Sequence, residues 1–331
     1  MPMNRPRVLV SQPIPASALE RLQALAEVEA GGDASRILPR SELIERIRRA
    51  DVLFHLMHDA VDAAVIAAGT RLKMIASMAV VPATVDVAAA SARKIPVTTI
   101  PPIVAEATAD MHFALLLAAA RRVVEADAAL RGGLFPGSQS LHFAGAFVHG
   151  KTIGIIGLGR IGRAIARRAR GFDMTVLYTK RSRISEAEER ELAVSYLGLE
   201  ELLQRADFVS VSCALTPQTR HLVGARELGL MKPGAFLVNT ARGPIVDEQA
   251  LVRALVERRI AGAGLDVFER EPEVEAALLA MPNVVLTPHL GSAVAELRES
   301  MAHIVVDNIE AVLAGRRPPN CCNPEIYEQD K

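Results

Sequence analysis

The sequence predicts a two-domain α/β protein in which each domain carries a parallel sheet flanked by helices. Three observations lead there. The 331 residues are too many for one ordinary core and suit two. Short β-branched or apolar runs alternate with longer helical patterns along the chain. One apolar run passes directly into a Gly-x-Gly-x-x-Gly turn that opens a helix.

Taken in order, residues 7–11 read as a first strand and 17–26 as a helix. Over 41–50, Leu43, Ile44 and Ile47 share one helical face, with Ser41 as the expected cap. Residues 52–56 and 74–77 read as further strands. Pro96, Pro101 and Pro102 are expected to break up any regular element over 95–102 and to end the first unit. One long helix is expected over 104–131, followed by a Gly/Pro/Ser-rich stretch, 132–150, that reads as a surface loop or a subunit-packing arm. Strands are then expected over 152–157, 175–178, 208–212, 235–239, 262–266 and 284–287, enough for a complete dinucleotide-binding sheet. A final helix over 292–313 can return to pack on the first unit.

Composition excludes several classes. Half the residues are apolar, and 38 basic side chains balance 38 acidic ones, which argues against nucleic acid or an anionic membrane as main partner. Cys213, Cys321 and Cys322 are too few and too badly placed for a disulfide framework, so they read as free thiols. The start, MPMNRPRVLV, does not read as a secretory signal, and the apolar run over 113–120 stops at Arg121-Arg122, too short to span a bilayer. A cytoplasmic protein is expected.

The turn is Gly157-Leu158-Gly159-Arg160-Ile161-Gly162. Its glycines permit a tight turn and close backbone approach, and the helix start offers free N–H groups to a pyrophosphate, with Arg160 placed for phosphate. Arg163, Arg167, Arg168 and Arg170 are expected to face water. An NAD enzyme places an acid at the end of the next strand, about 20 residues past the glycines, for the ribose hydroxyls. Here that strand runs into Lys180-Arg181-Ser182-Arg183, with no carboxylate and with three cations suited to a 2′-phosphate. NADP is the expected coenzyme, with NAD as the alternative.

Three further polar stretches lie just beyond expected strands and can converge on one crevice: Asn239-Thr240-Ala241-Arg242-Gly243, residues 265–272, and Thr287-Pro288-His289-Leu290-Gly291-Ser292. With the glycine turn, they resemble the D-isomer-specific 2-hydroxyacid dehydrogenase family in order and spacing. The resemblance covers about 53–324 and is most specific over 150–292. It implies two Rossmann-like domains, the coenzyme domain (102–292) inserted into the catalytic domain (1–101 plus 293–331). It also implies a catalytic set of Arg242, Glu271 and His289 and reduction of a small 2-oxo acid such as glyoxylate, hydroxypyruvate or a keto-sugar acid. Chemistry agrees: Arg242 can grip a carboxylate bidentately, protonated His289 can serve the carbonyl oxygen as general acid, and Glu271 can orient the imidazole.

By the same resemblance Asp266 contacts the nicotinamide carboxamide, and Thr108, Cys213, Thr219, Thr240, Ala241 and Ser292 flank the dinucleotide. Asp110 is expected on the helix surface. The family's Gly-rich substrate loop corresponds to residues 77–86, giving Met78, Ala79, Val80 and Val81 as substrate-binding candidates. Both glycines are replaced and Pro82 lacks an N–H, so a bulkier, stiffer pocket floor is expected. A homodimer is implied, with the long helix and the 132–150 arm as contacts. His55 and His58 read as loop histidines, and no metal is expected. Two other readings stay open: a dehydrogenase of another oxyanion such as phosphite, and a dinucleotide-sensing interaction protein.

Overall fold

The computed structural model describes residues 5–31 and 33–328. The chain forms two compact units, 1–103 with 294–331 and 104–293, so the second interrupts the first. Each is α/β with its own parallel sheet.

In the first unit β1 (Arg7–Val10), α1 (Ala16–Leu25), β2 (Glu27–Ala30), α2 (Arg40–Ile47), β3 (Val52–His55), α3 (Ala63–Ala68), β4 (Met74–Ser77), α4 (Val87–Ala92) and β5 (Val97–Thr98) alternate. The strands pair in the order β2-β1-β3-β4-β5, and Leu9, Leu53, Ile75 and Val97 build the core on one face with side chains from α2, α3 and α4. Asp62 and Asp86 cap α3 and α4, each worth about 1 kcal/mol of helix stability. α2 differs from expectation. It begins at Arg40 with Pro39 as N-cap, and Ser41 lies inside the first turn without capping.

The proline-rich 95–102 segment does hold a strand, because Pro96 contributes its carbonyl to Ile75 N and needs no donor there (3.0 Å). The outer edge of β5 is then covered by the C-terminal segment, where Cys321 bridges Thr98 antiparallel and Cys322 N donates to Val97 O at 2.9 Å. All three cysteines are free, and burial pushes the Cys322 thiol up to about 11, which keeps it protonated and unreactive.

The second unit opens with α5 (Ala105–Ala120) and α6 (Val123–Arg131). These are two helices where one was expected. Arg122 adopts a left-handed conformation (φ 54°) that ends the hydrogen-bond ladder of α5. Residues 132–150 are irregular. The sheet strands are β6 (Thr152–Ile156), β7 (Thr175–Thr179), β8 (Val194–Tyr196), β9 (Phe208–Val211), β10 (Phe236–Asn239), β11 (Gly262–Leu265) and β12 (Val284–Leu286), all parallel, in the order β12-β11-β10-β9-β6-β7-β8. β8, a short edge strand, was not anticipated, nor were β2 and β5. Each lacks the apolar run that marks an interior strand. Connecting helices are α7 (Arg160–Arg170), α8 (Glu186–Leu192), α9 (Leu199–Arg205), α10 (Ala225–Leu230), α11 (Glu248–Val256) and α12 (Ala276–Leu279).

Alternate residues of the central strands feed two apolar layers, with Ile156, Val209 and Leu237 on one face and Ile155, Phe208 and Val238 on the other. That two-sided burial explains their continuous apolar sequences. The last helix, α13 (Ala295–Leu313), returns to the first unit and packs on α1 and β4. Among the described residues no helix is long and apolar enough to cross a membrane.

Candidate active site

Strand order reverses at β6. The chain leaves it for β7 on one side and later adds β9 on the other, which opens a crevice at the carboxyl ends of β6 and β9. The Gly-x-Gly-x-x-Gly turn lies there. Gly157 has φ 100°, and a Cβ on it would stand 2.6 Å from Cys213 Cα, so the turn requires glycine. A Cβ on Gly162 would come within 2.3 Å of Gly157 O, whereas one on Gly159 would meet nothing within 4 Å. The first and third glycines therefore serve packing, and the second leaves open space before the start of α7, where Arg160 is exposed. Leu158 is buried behind the turn, and Ile161 is partly buried.

Of the remaining arginines of α7, Arg167 and Arg170 are exposed as expected and Arg163 and Arg168 are partly buried, and three of the four also hold acids. Arg163 donates to Glu188 (2.8 Å), and Arg167 and Arg168 grip Glu106 of α5, with Arg168 also bound to the exposed Asp110. Basic side chains in the last turn also complement the helix dipole.

The basic turn after β7 divides. Arg183 is held bidentately by Glu189 at 2.8 and 2.6 Å, and its guanidinium lies 5.9 Å from the Tyr196 ring centre. Glu189 also accepts from Tyr178 Oη, and Arg183 and this hydroxyl together lower its pKa to about 2. Arg183 is thus held by an acid of the next helix, with half of its side chain still exposed. Lys180 and Arg181 pair with no carboxylate among the described residues, and Arg181 and Ser182 are exposed. The Thr219 hydroxyl donates to Ala214 O and accepts from Thr216 N, each at 2.7 Å, closing its own turn.

The other polar stretches follow β10, β11 and β12, which are neighbours in the sheet. Backbone bonds stitch the loops together: Asp266 N donates to Asn239 O (3.0 Å), Thr287 N to Leu265 O (2.9 Å) and His289 N to Asp266 O (2.9 Å). Two side chains that sequence reasoning missed or placed elsewhere shape them. Asn239 donates to Arg242 O and accepts from Ala241 N, both at 3.0 Å, folding the turn that carries Arg242. An Asn ending an apolar strand just before a turn is the signal that could have disclosed this. Buried Asp266 collects Thr287 Oγ1 (2.6 Å), Leu290 N (2.7 Å) and Gly291 N (2.8 Å). Its carboxylate is therefore the anchor of the His289 loop, a task not foreseen for it.

The three expected catalytic residues come together within this unit. His289 Nδ1 donates to Glu271 Oε2 at 2.8 Å, and Glu271 Oε1 accepts from Phe268 N at 3.0 Å, so the carboxylate is fixed from both sides. His289 has φ 56°, a left-handed conformation that costs an L-residue roughly 1–2 kcal/mol. The Asp266-anchored loop holds it there, as strain at functional positions is generally held by its surroundings. Burial pushes the Arg242 pKa down, and the charge of Glu271 works against that.

Behind this loop, α5 presents Thr108, whose hydroxyl donates to Val104 O (2.8 Å), and His112, whose Nδ1 lies 3.5 Å from buried Thr240 Oγ1. Burial lowers His112 to about 3, so this imidazole is neutral. Ser292 is partly buried at the end of the third loop.

In the first unit Met78 and Ala79 are buried and Val81 is exposed. No residue of 77–86 has a positive φ, so the loss of glycine there imposes no backbone strain. Met78 N donates to His55 O and Ile100 N to Ala79 O, both at 3.0 Å. Among the described residues the N–H groups of Ala79, Val80 and Val81 meet no protein acceptor.

Comparison with known proteins finds relatives that span nearly the whole chain. A family model described as D-isomer specific 2-hydroxyacid dehydrogenase, NAD binding domain, matches residues 113–291. A glyoxylate reductase of Thermococcus litoralis is 45% identical over 326 residues, covering 97% of this chain and 98% of its own. A crystal structure of a Thermus thermophilus protein is 45% identical with a TM-score of 0.88, covering 96% of this chain and 99% of its own. An NADPH-dependent glyoxylate/hydroxypyruvate reductase from Sinorhizobium meliloti, solved with NADP and malonate, is 35% identical with a TM-score of 0.75, covering 96% of each chain.

Proposed function

The chain belongs to the D-isomer specific 2-hydroxyacid dehydrogenase family, and we propose that it reduces glyoxylate or a closely similar small 2-oxo acid with NADPH. The observation that carries this reading is the His289–Glu271 pair at 2.8 Å, beside the Arg242 turn at the carboxyl ends of adjacent strands. Bound coenzyme would supply the hydride. It would be held by the Gly157–Gly162 turn and the start of α7, flanked by Thr108, Cys213, Thr240, Ala241 and Ser292, with Lys180, Arg181 and Ser182 taking the 2′-phosphate.

The protein's own groups handle charge and protons. Arg242 offers a planar fork to the substrate carboxylate and polarises the carbonyl. In the first unit, the N–H groups of 79–81 are donors of the kind a carboxylate takes, and on that ground the reading keeps Met78 to Val81 as the substrate loop. Glu271 keeps the Nδ1 proton of His289 in place and orients the ring. Nε2 then gives its proton to the carbonyl oxygen during reduction and takes it back in oxidation. The test is NADPH oxidation, followed at 340 nm as roughly tenfold or more above background, across glyoxylate, hydroxypyruvate and larger 2-oxo acids. Coenzyme binding without turnover on all of them would refute the reading.

The coenzyme preference has its own expected result. Lys180→Asp combined with Arg181→Ala should lower the NADP/NAD ratio of kcat/KM by about 100-fold, since two charge-assisted phosphate contacts become one repulsion. An unchanged ratio would discredit the assignment. The 104–150 region also carries a run of exposed apolar side chains, Val123, Val124 and Leu130 on α6 and Leu134, Phe135, Leu141 and Phe147 beyond it. A patch of that kind marks an interaction face, and the reading assigns it to a second copy of this chain. Sedimentation at the mass of a single chain would refute it.

A further inference from the structure

The carboxyl ends of the first unit's strands carry a buried polar layer that the proposed reaction does not use. Side chains alternate along a strand, so Ser11, His55 and Ser77 continue the rows of Leu9, Leu53 and Ile75 beyond the apolar core. His55 and Ser77 are in register across β3 and β4. Ser11, His55, Asp59 and Ser77 are all 3% exposed or less.

Half of this layer's hydrogen bonding is closed. Asp59 Oδ2 accepts from Leu56 N at 2.8 Å and from Ser11 Oγ. His55 Nδ1 lies 2.9 Å from Leu56 O, an acceptor, so the ring carries its proton on Nδ1. Burial pushes the His55 pKa down while the charge of Asp59 opposes it, and the ring is neutral. Its Nε2 is therefore a bare acceptor. Three atoms remain without a protein partner among the described residues: His55 Nε2, Asp59 Oδ1 and Ser77 Oγ. Two of these are acceptors and the third is a hydroxyl. A water molecule, with two protons to give and lone pairs to receive, matches that set.

We propose that an internal water donates to His55 Nε2 and Asp59 Oδ1 and accepts from Ser77 Oγ, making His55 and Asp59 positioning residues for the substrate loop. The layer meets that loop directly. Ser77 immediately precedes Met78, and Met78 N is bonded to the carbonyl of His55. Orphaned polar atoms in a core are tolerated poorly, so the water locks the junction of β3, β4 and the 56–59 turn in one arrangement. The inference rests on reading 78–81 as the substrate loop.

The experiment compares His55→Leu, which deletes the ring acceptor, with His55→Gln, whose carbonyl keeps one at similar reach. His55→Leu should raise the KM for glyoxylate about tenfold, change kcat less than about threefold and leave the KM for NADPH within about twofold. His55→Gln should recover most of that loss. Ser77→Ala, a smaller change that guards against failure to fold, should raise the same KM about threefold. Equal kinetics in the Leu and Gln variants, or parallel losses in coenzyme and substrate parameters, would overturn the positioning role. Val81→Gly provides the separate control. If it leaves the glyoxylate KM unmoved, the loop reading itself fails; if it moves that KM while His55→Leu and Ser77→Ala do not, only the water-linked layer fails.

Discussion

Replacing His289 with Ala is expected to lower kcat about 10³- to 10⁴-fold while NADPH affinity stays within about threefold. In the proposed reading the imidazole is the proton donor, and its partner Glu271 is already fixed by Phe268 N. In the proposed reading coenzyme binding draws on the Gly157–Gly162 turn after a different strand, so the two functions should separate. Glu271→Gln should show an intermediate loss, about 10²-fold, because the amide can still hold the ring but no longer presents a carboxylate to it. Stopped-flow single turnovers would measure the chemical step, and fluorescence titration the coenzyme. A His289→Ala enzyme with unchanged turnover would remove the proposed acid.

Replacing Arg242 with Lys is expected to reduce kcat/KM for glyoxylate about 10²- to 10³-fold even though the charge is kept. Lys presents a point charge, so both the bidentate grip and the polarisation of the carbonyl are lost. The backbone turn should survive, because Asn239 closes it through Ala241 N and Arg242 O and not through the guanidinium. Steady-state kinetics with glyoxylate, alongside the melting temperature, would separate chemistry from folding. A loss below about threefold in a stable variant would exclude Arg242 from substrate binding.

Both predictions concern residues that could be named before any coordinates, because the local pattern around each is informative. An apolar strand followed by a polar turn reads in one dimension, and its repetition at 239–243, 265–272 and 287–292 announces three strand ends. The same logic finds the Gly157–Gly162 turn, where the requirement for a missing Cβ is visible as glycine itself. Continuous apolar runs disclosed the interior strands for the related reason that both faces of a parallel sheet are covered.

What a sequence of this kind determines by itself is the α/β class, the interior strands and the glycine turn, since each depends on residues close along the chain; Arg242, Glu271 and His289 were named through the family resemblance of the stretches that hold them. Tertiary structure alone decided the partners. Arg183 holds Glu189, Asp266 anchors the loop of His289, and the acids Glu106 and Asp110 meet Arg167 and Arg168 from some 58 to 62 positions away. The edge strands β2, β5 and β8 and the break at Arg122 also escaped, because pairing at a sheet edge and a single left-handed residue leave no periodic trace. A cation looks the same in sequence whether it awaits a phosphate or already holds a carboxylate. Only the folded chain, by bringing distant charges within hydrogen-bond reach, makes that choice.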